Sequence, residues 1–206
     1  MDNTAACPYG LDTRKLREEI RSVYGRVAEE PGGDFHFNRG PEDAARLLGY
    51  DAAALAELPR DVTASFAGVA NPHRIAPIRA GETVLDVGCG AGMDLLLAAR
   101  AVGARGKAIG VDMTAAMRER ALFAAAALGL ANVEVLEGVA EALPLPDASV
   151  DTVISNGVLN LAPDKDAAFG EIARVLAPGG RLLLADIVIG RELSPEQRSD
   201  VALWTG

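Results

Sequence analysis

The stretch Thr83-Val84-Leu85-Asp86-Val87-Gly88-Cys89-Gly90-Ala91-Gly92-Met93-Asp94 decides how the chain folds. Thr83, Val84, Leu85 and Val87 make a short apolar run rich in β-branched residues, the pattern of a buried strand. Gly88, Gly90 and Gly92 remove side chains where the backbone must bend sharply and approach a ligand. Asp94 opens the run D-L-L-L-A-A-R-A-V and is expected to be its N-cap. Strand, glycine turn and helix in this order open a nucleotide-type site in an α/β sheet.

Outward from that stretch, strands and helices alternate. The first strand (83–87) is followed by a helix over 94–103, and K-A-I-G-V-D (107–112) reads as the second strand. A helix opens at Thr114 and ends before Gly129. V-E-V-L (133–136) and V-D-T-V-I-S-N (150–156) read as strands three and four. A helix from Asp164 to Leu176 stops at P-G-G, and R-L-L-L-A-D-I-V-I (181–189) reads as strand five. Alternation of this kind implies right-handed crossovers and a Rossmann-like α/β architecture, with a mostly parallel sheet covered on both faces. S-P-E-Q at 194–197 starts a further helix, and nothing is left to cover the outer edge of strand five. An open apolar edge invites misassembly. The expectation is therefore that C-terminal strands are missing from the chain as given, with Trp204 buried against them, or that an oligomer or partner covers that edge.

Upstream, residues 1–10 lack periodicity and are expected to be a disordered tail. Leu16, Ile20, Val23, Tyr24 and Val27 recur at helical spacing within an amphipathic helix over 11–30. A loop with Phe35, His36 and Phe37 follows, then helices at 41–49 and 51–58, then an irregular stretch over 59–82. Residues 11–80 thus read as a helical cap and substrate-side segment, and 81–206 as the ligand-binding domain.

Composition narrows the chemistry. The 206 residues are long enough for one domain with a real core. A net charge of −9 argues against nucleic acid as a partner. No apolar run reaches membrane-spanning length, and no signal-peptide h-region opens the chain. The two cysteines, Cys7 and Cys89, exclude a disulfide framework and are expected to be reduced in the cytoplasm. His36 and His73 have no ligand cluster around them, so no metal site is expected.

The glycine spacing resembles a dinucleotide fingerprint, but Met93 stands where its third glycine belongs. Asp86, two residues before the first glycine, would repel a pyrophosphate and suits a cationic amino group. Asp112 ends strand two, 24 residues after Gly88, where a carboxylate accepts hydrogen bonds from ribose hydroxyls. An amino-acid end at the loop and a ribose at strand two describe S-adenosylmethionine better than NAD.

D-V-G-C-G-A-G, V-D-M-T, E-A-L-P-L-P-D, V-I-S-N-G-V-L-N-L-A-P-D-K and V-L-A-P-G-G-R-L-L-L-A-D-I resemble the class I S-adenosylmethionine-dependent methyltransferases. More narrowly they resemble the arsenite methyltransferase group and the related quinone-biosynthesis C-methyltransferases. The likeness covers about residues 60–206. It implies that Asp86, Gly88, Cys89 and Gly90 line the methionyl end of the cofactor and that Asp112 holds the ribose. It implies that Met113 and Met117 flank the adenine and that Gly138, Val139, Ala140 and Glu141 run along its edge. Relatives often carry an acid at the place of Val139. Ser155 and Asn156 would lie beside the transferable methyl group, and Asn71 would face the cofactor from the cap.

The likeness breaks at the acceptor. The arsenite enzymes bind trivalent arsenic through cysteine thiolates, which are soft ligands. This chain has Val69 and Ala70 in the first of those regions and Gly157 at the second. The expectation is a methyltransferase for a small-molecule acceptor that lacks the arsenic-binding cysteines. The alternatives are a non-catalytic cofactor-binding module, or transfer to a metalloid bound without the cysteine triad. Asn156, His73 and Tyr24 are the catalytic candidates. Tyr24 reads equally as a pocket hydroxyl or a core aromatic, His73 has no acidic partner visible in the sequence, and Met113 and Met117 read equally as core.

Overall fold

A computed structural model of the chain describes residues 12–30, 32–33, 40–190, 194, 196–197, 200 and 204. The tail at 1–10, His36 and most of the expected C-terminal helix lie outside the described residues. Helix α1 spans Thr13–Glu29, and Asp12 caps it by accepting from Arg14 N and Lys15 N. Helices α2 (Gly40–Leu48), α3 (Ala52–Ala56) and α4 (Arg60–Ala64) follow. The last lies in a stretch expected to be irregular. Pro59 starts it, and five residues are too few to show a helical period.

The α/β part runs β1 (Thr83–Val87), α5 (Met93–Val102), β2 (Lys107–Asp112), α6 (Ala115–Ala127), β3 (Val133–Glu137), β4 (Val150–Asn156), α7 (Lys165–Val175), β5 (Leu176–Ala185). Its sheet is wholly parallel in the order β3-β2-β1-β4-β5, the Rossmann-like α/β fold expected from the alternation. Successive side chains of each strand point to opposite faces, and β1, β2 and β4 are buried almost continuously because helices cover both faces. Leu85, Val87, Ile109, Val111 and Val153 pack with Ala168, Ile172 and Val175 of α7. Val84, Ile154 and Leu183 pack on the other face with Ala98 and Val102 of α5.

Strand β5 begins five residues earlier than its apolar run and ends four earlier. Val150 pairs with Leu176 but Thr152 pairs with Arg181, so the P-G-G segment bows out of the ladder before pairing resumes. Ile187, Val188 and Ile189 lie beyond the strand, exposed. Trp204 packs with Leu16 and Ile20 of α1, and Lys165 Nζ stands 4.9 Å from its ring centroid.

The helices before β1 share a core with the sheet's own helices. Ala44, Tyr50, Leu55, Leu58 and Val62 cluster with Met93 and Leu96 of α5 and Ala124 and Ala125 of α6. Val27 and Ala28 of α1 cluster with Ala91 and Met117. These contacts bring α1 and the segment after α4 over the C-terminal end of the sheet. The strand order reverses there between β1 and β4, which opens a crevice. No described helix is long and apolar enough to cross a membrane.

Candidate functional site

A cavity of about 150 Å³ occupies that crevice. Its floor is the turn from β1 into α5. Gly88 N and Cys89 N both donate to Val111 O, at 2.7 and 3.1 Å, which pins the turn to β2. Gly88 has φ +70°, and a Cβ there would lie 2.5 Å from Val158 Cγ2, so only glycine fits. Helix α5 starts one residue earlier than the sequence suggests, with Gly92 at its N-cap in the left-handed region. Asp94 is therefore inside the first turn and caps nothing; its side chain is free to turn toward the cap helices.

Three carboxylates gather at this end of the sheet. Asp112 Oδ2 accepts from Gly90 N at 2.9 Å and Oδ1 from Thr114 N at 2.8 Å. Burial pushes its pKa up, although those amide bonds pull the other way. Asp86 is 3 % exposed, and its Oδ2 has no hydrogen-bond partner. Burial, then the charges of Asp94 and Asp112, hold its pKa well above the usual carboxylate range. An orphaned buried carboxylate oxygen calls for a proton or a cation. Asp94 is satisfied instead. Its Oδ1 accepts from Tyr50 Oη at 2.7 Å and faces His73 Nε2 at 3.0 Å, while Oδ2 accepts from Asn156 Nδ2 at 3.0 Å.

The walls come from β2, β4 and the helices above. Asp86, Gly88, Cys89, Gly90, Asp112, Met113, Met117, Gly138, Val139, Ala140, Glu141, Asn156 and Tyr24 all line the cavity. Cys89 is a buried member of that lining. Its side chain packs with Leu95, Ala99 and Ala108, and burial pushes its thiol pKa well up. Met117 is 2 % exposed and belongs to both core and cavity. Tyr24 is half-buried; loss of solvent around its hydroxyl, then the Asp112 charge, pushes its pKa up to about 12, so it holds its proton at neutral pH. Glu141 Oε1 pairs with Arg17 Nη2 of α1 at 3.4 Å.

Three expected site residues do not line the cavity. Ser155 is fully buried between strands, where its hydroxyl donates to Val87 O at 3.3 Å. Its neighbour Asn156 takes the cavity side because adjacent residues of a strand face opposite ways. Asn71 faces away from the cavity: its Oδ1 accepts from His73 N and its Nδ2 donates to Gly49 O. His73 has the acidic partner that the sequence did not show, Asp94, and it sits behind that residue rather than in the pocket. Asn156, a catalytic candidate, is fully engaged. Its Oδ1 accepts from Val69 N (2.8 Å) and Ala70 N (3.2 Å), and its Nδ2 donates to Ala70 O and Asp94.

Arg17, Ile20, Val62, Phe66, Ala67 and Leu161 line the cavity without having been singled out. Arg17 and Ile20 were within reach, since they precede Tyr24 by seven and four positions on the same face of α1. Phe66 and Ala67 sit in an aperiodic segment with no signal of their own. Val69 and Gly157 lie side by side at the end of β4, where a Cβ on Gly157 would stand 3.2 Å from Val69 Cγ1. Among the described residues no group of His, Cys, Asp and Glu could hold a metal ion.

The chain matches the family described as "Methyltransferase domain" over residues 78–205. It is 46% identical over 208 residues to an arsenite methyltransferase of Halobacterium salinarum, covering 95% of this chain and 53% of that protein. Among solved structures it resembles an arsenic(III) S-adenosylmethionine methyltransferase from Chlamydomonas reinhardtii, with TM-score 0.67, 41% identity, and coverage of 73% of this chain and 53% of that one. It also resembles a SAM-dependent methyltransferase from Aquifex aeolicus, with TM-score 0.54, 27% identity, and coverage of 78% and 81%. The chain spans about half the length of the curated arsenite methyltransferases it matches.

Proposed function

The chain belongs to the class I S-adenosylmethionine-dependent methyltransferases, and from that premise we propose that it transfers a methyl group to a small-molecule acceptor. One observation carries the reading: Asp86 presents an unpartnered, buried carboxylate oxygen at the mouth of a glycine-rich turn. A cationic amino group is the ligand chemistry that such an oxygen fits. A pyrophosphate would meet Asp86, Asp94 and Asp112 together and be repelled.

When bound, S-adenosylmethionine supplies an electrophilic methyl group and a neutral thioether leaving group. Asp86 would hold the ammonium end, and the amides of the Gly88–Gly92 turn would approach the carboxylate end. Asp112 would hold the ribose, with Met113, Met117 and the Gly138–Glu141 segment around the adenine. Because the leaving group departs neutral, the site needs no acid. What the chain's own residues contribute is positioning and exclusion of water. Ile20, Tyr24 and Phe66 enclose the cavity from above, and Val158 and Leu161 from the side. Tyr24 keeps its proton and His73 is turned away, so neither serves as a base. The acceptor therefore arrives with a nucleophilic lone pair already available.

We further infer that this acceptor is not arsenite held by three thiolates from these 206 residues. Val69 and Gly157, which adjoin beside the pocket, carry no thiol, and Cys89 packs under the turn. Calorimetric titration with S-adenosylhomocysteine tests the cofactor; absence of binding would sink the proposal. Incubation of labelled S-adenosylmethionine with thiols, quinols, trivalent methylarsenicals and arsenite tests the rest. Label in none of them would favour a binding module, and rapid labelling of arsenite would overturn the acceptor reading.

A further inference from the structure

Tyr50 lies outside every motif and does not line the cavity, yet two separate sets of its contacts end on one wall of it. The first set is polar. The Tyr50 hydroxyl donates to Asp94 Oδ1 at 2.7 Å and accepts from Asn156 Nδ2 at 3.1 Å. Asn156 Nδ2 also reaches Asp94 Oδ2, so hydroxyl, carboxylate and carboxamide close a triangle. The far side of that carboxamide, Oδ1, holds the amides of Val69 and Ala70. The second set is aromatic. The Tyr50 ring meets Phe66 edge-on at 5.3 Å and 74°. Phe66, Ala67 and Gly68 line the cavity, and the segment they open adjoins Asn156 and Gly157 at the end of β4.

The triangle is buried: Tyr50 is 5 % exposed and Asp94 6 %. Burial, then the Asp94 charge, pushes the Tyr50 hydroxyl pKa well above its ordinary value, which keeps the proton available to Asp94. His73 closes the remaining side of Asp94. With its carboxylate so occupied, Asp94 fixes the carboxamide plane of Asn156, and that plane fixes where the 66–70 segment stands.

We propose that Tyr50 is a positioning residue for the acceptor side of the site: through Asp94 and Asn156, through its own hydroxyl against Ala70 O, and through Phe66, it sets the place of the 66–70 wall beside Gly157. Donor binding, on the β1–β2 side, does not depend on it. The inference rests on the proposed methyl transfer only in calling that wall the acceptor's. Its test needs no acceptor, and failure of S-adenosylhomocysteine to bind the wild type would count against the proposed function alone.

Amide hydrogen exchange by NMR, with S-adenosylhomocysteine present, reads the wall directly. In the wild-type chain Val69 and Ala70 amides should be protected; exchange at the free-peptide rate would overturn the proposal without any variant. In Tyr50→Phe their exchange should rise at least tenfold, since the hydroxyl's buried contacts with Asp94, Asn156 and Ala70 are all lost. The Asn156 side-chain amide resonances should shift, while S-adenosylhomocysteine affinity stays within twofold. In Tyr50→Leu, which also loses the ring contact, exchange should rise further, and restoring the ring with Phe should recover part of the protection. Unchanged exchange at Val69 and Ala70 in both variants would overturn the positioning role. So would a rise of the same size throughout β1 and β4, which marks a merely structural residue.

Discussion

Replacing Asp86 by Asn removes a buried negative charge and keeps the side chain's shape, so two effects of opposite sign are expected. The charge-assisted hydrogen bond to the ligand's amino group is lost, which should weaken S-adenosylhomocysteine binding by about 10- to 100-fold. The ligand-free protein should gain stability over the wild type as pH rises, because the variant has no buried carboxyl to ionise. Calorimetry and thermal unfolding read the two effects separately. Titration adds a second signature. Since the Asp86 pKa lies well above the usual range in the free site, the wild-type chain should bind more tightly as pH rises and should release a proton on binding. Calorimetry in buffers of different ionisation enthalpy would show no proton release if Asp86 were already ionised. Gly88 is the other residue with a sharp expectation. Ala at φ +70°, against Val158, should cost about 1–3 kcal/mol in urea unfolding and abolish ligand binding.

Strands β1, β2 and β4 have the bounds that their β-branched runs predict, because each is short, buried and closed by turn residues. Asp94 defeats the same logic. An aspartate before L-L-L-A-A reads as an N-cap, but Gly92 in the left-handed region takes that place and frees Asp94 for contacts 21, 44 and 62 positions away. Partners at such separations leave no periodic trace, which is why His73 shows no acid in the sequence and Tyr50 no role. The P-G-G bow ahead of β5 is hidden for a different reason: turn residues normally end a strand, and here the ladder resumes beyond them. The same strand carries an element-scale prediction. Arg181 Nη2 reaches Glu82 Oε1 at 2.6 Å and Thr152 Oγ1 at 2.9 Å, tying the edge strand to the start of β1. Glu82→Ala leaves this half-buried guanidinium without its carboxylate and should cost about 1–3 kcal/mol in urea unfolding. A cost below about 0.5 kcal/mol would mean that solvent already satisfies Arg181.

At the scale of the whole molecule, stability and ligand grip pull against one another through pH. Asp86, Asp112 and Asp186 all have pKa values raised above the ordinary aspartate value of 3.8, burial being the largest cause for each. Between the unfolded and the raised folded values the folded chain binds more protons than the unfolded one. Stability is therefore full below about pH 4 as far as these groups are concerned, and it is lost as pH rises through their folded values. Thermal unfolding of the ligand-free protein should show Tm falling from pH 5 to pH 8, with the gain in Tm from S-adenosylhomocysteine larger at pH 8. A Tm that rises over that range would show that other groups dominate.

Gly157 has a consequence for how such a chain can change over time. Its backbone sits at φ +71° with Val69 against its α-carbon, so any L-residue placed there is strained by about 1–2 kcal/mol and also displaces Val69. A lone mutation of Gly157 meets Val69 as an obstacle, whereas a smaller residue at 69 opens room for a side chain at 157. The pair should therefore behave as a single evolutionary unit. Its double-mutant cycle should be strongly non-additive, and lineages that alter one position should be found to have altered both.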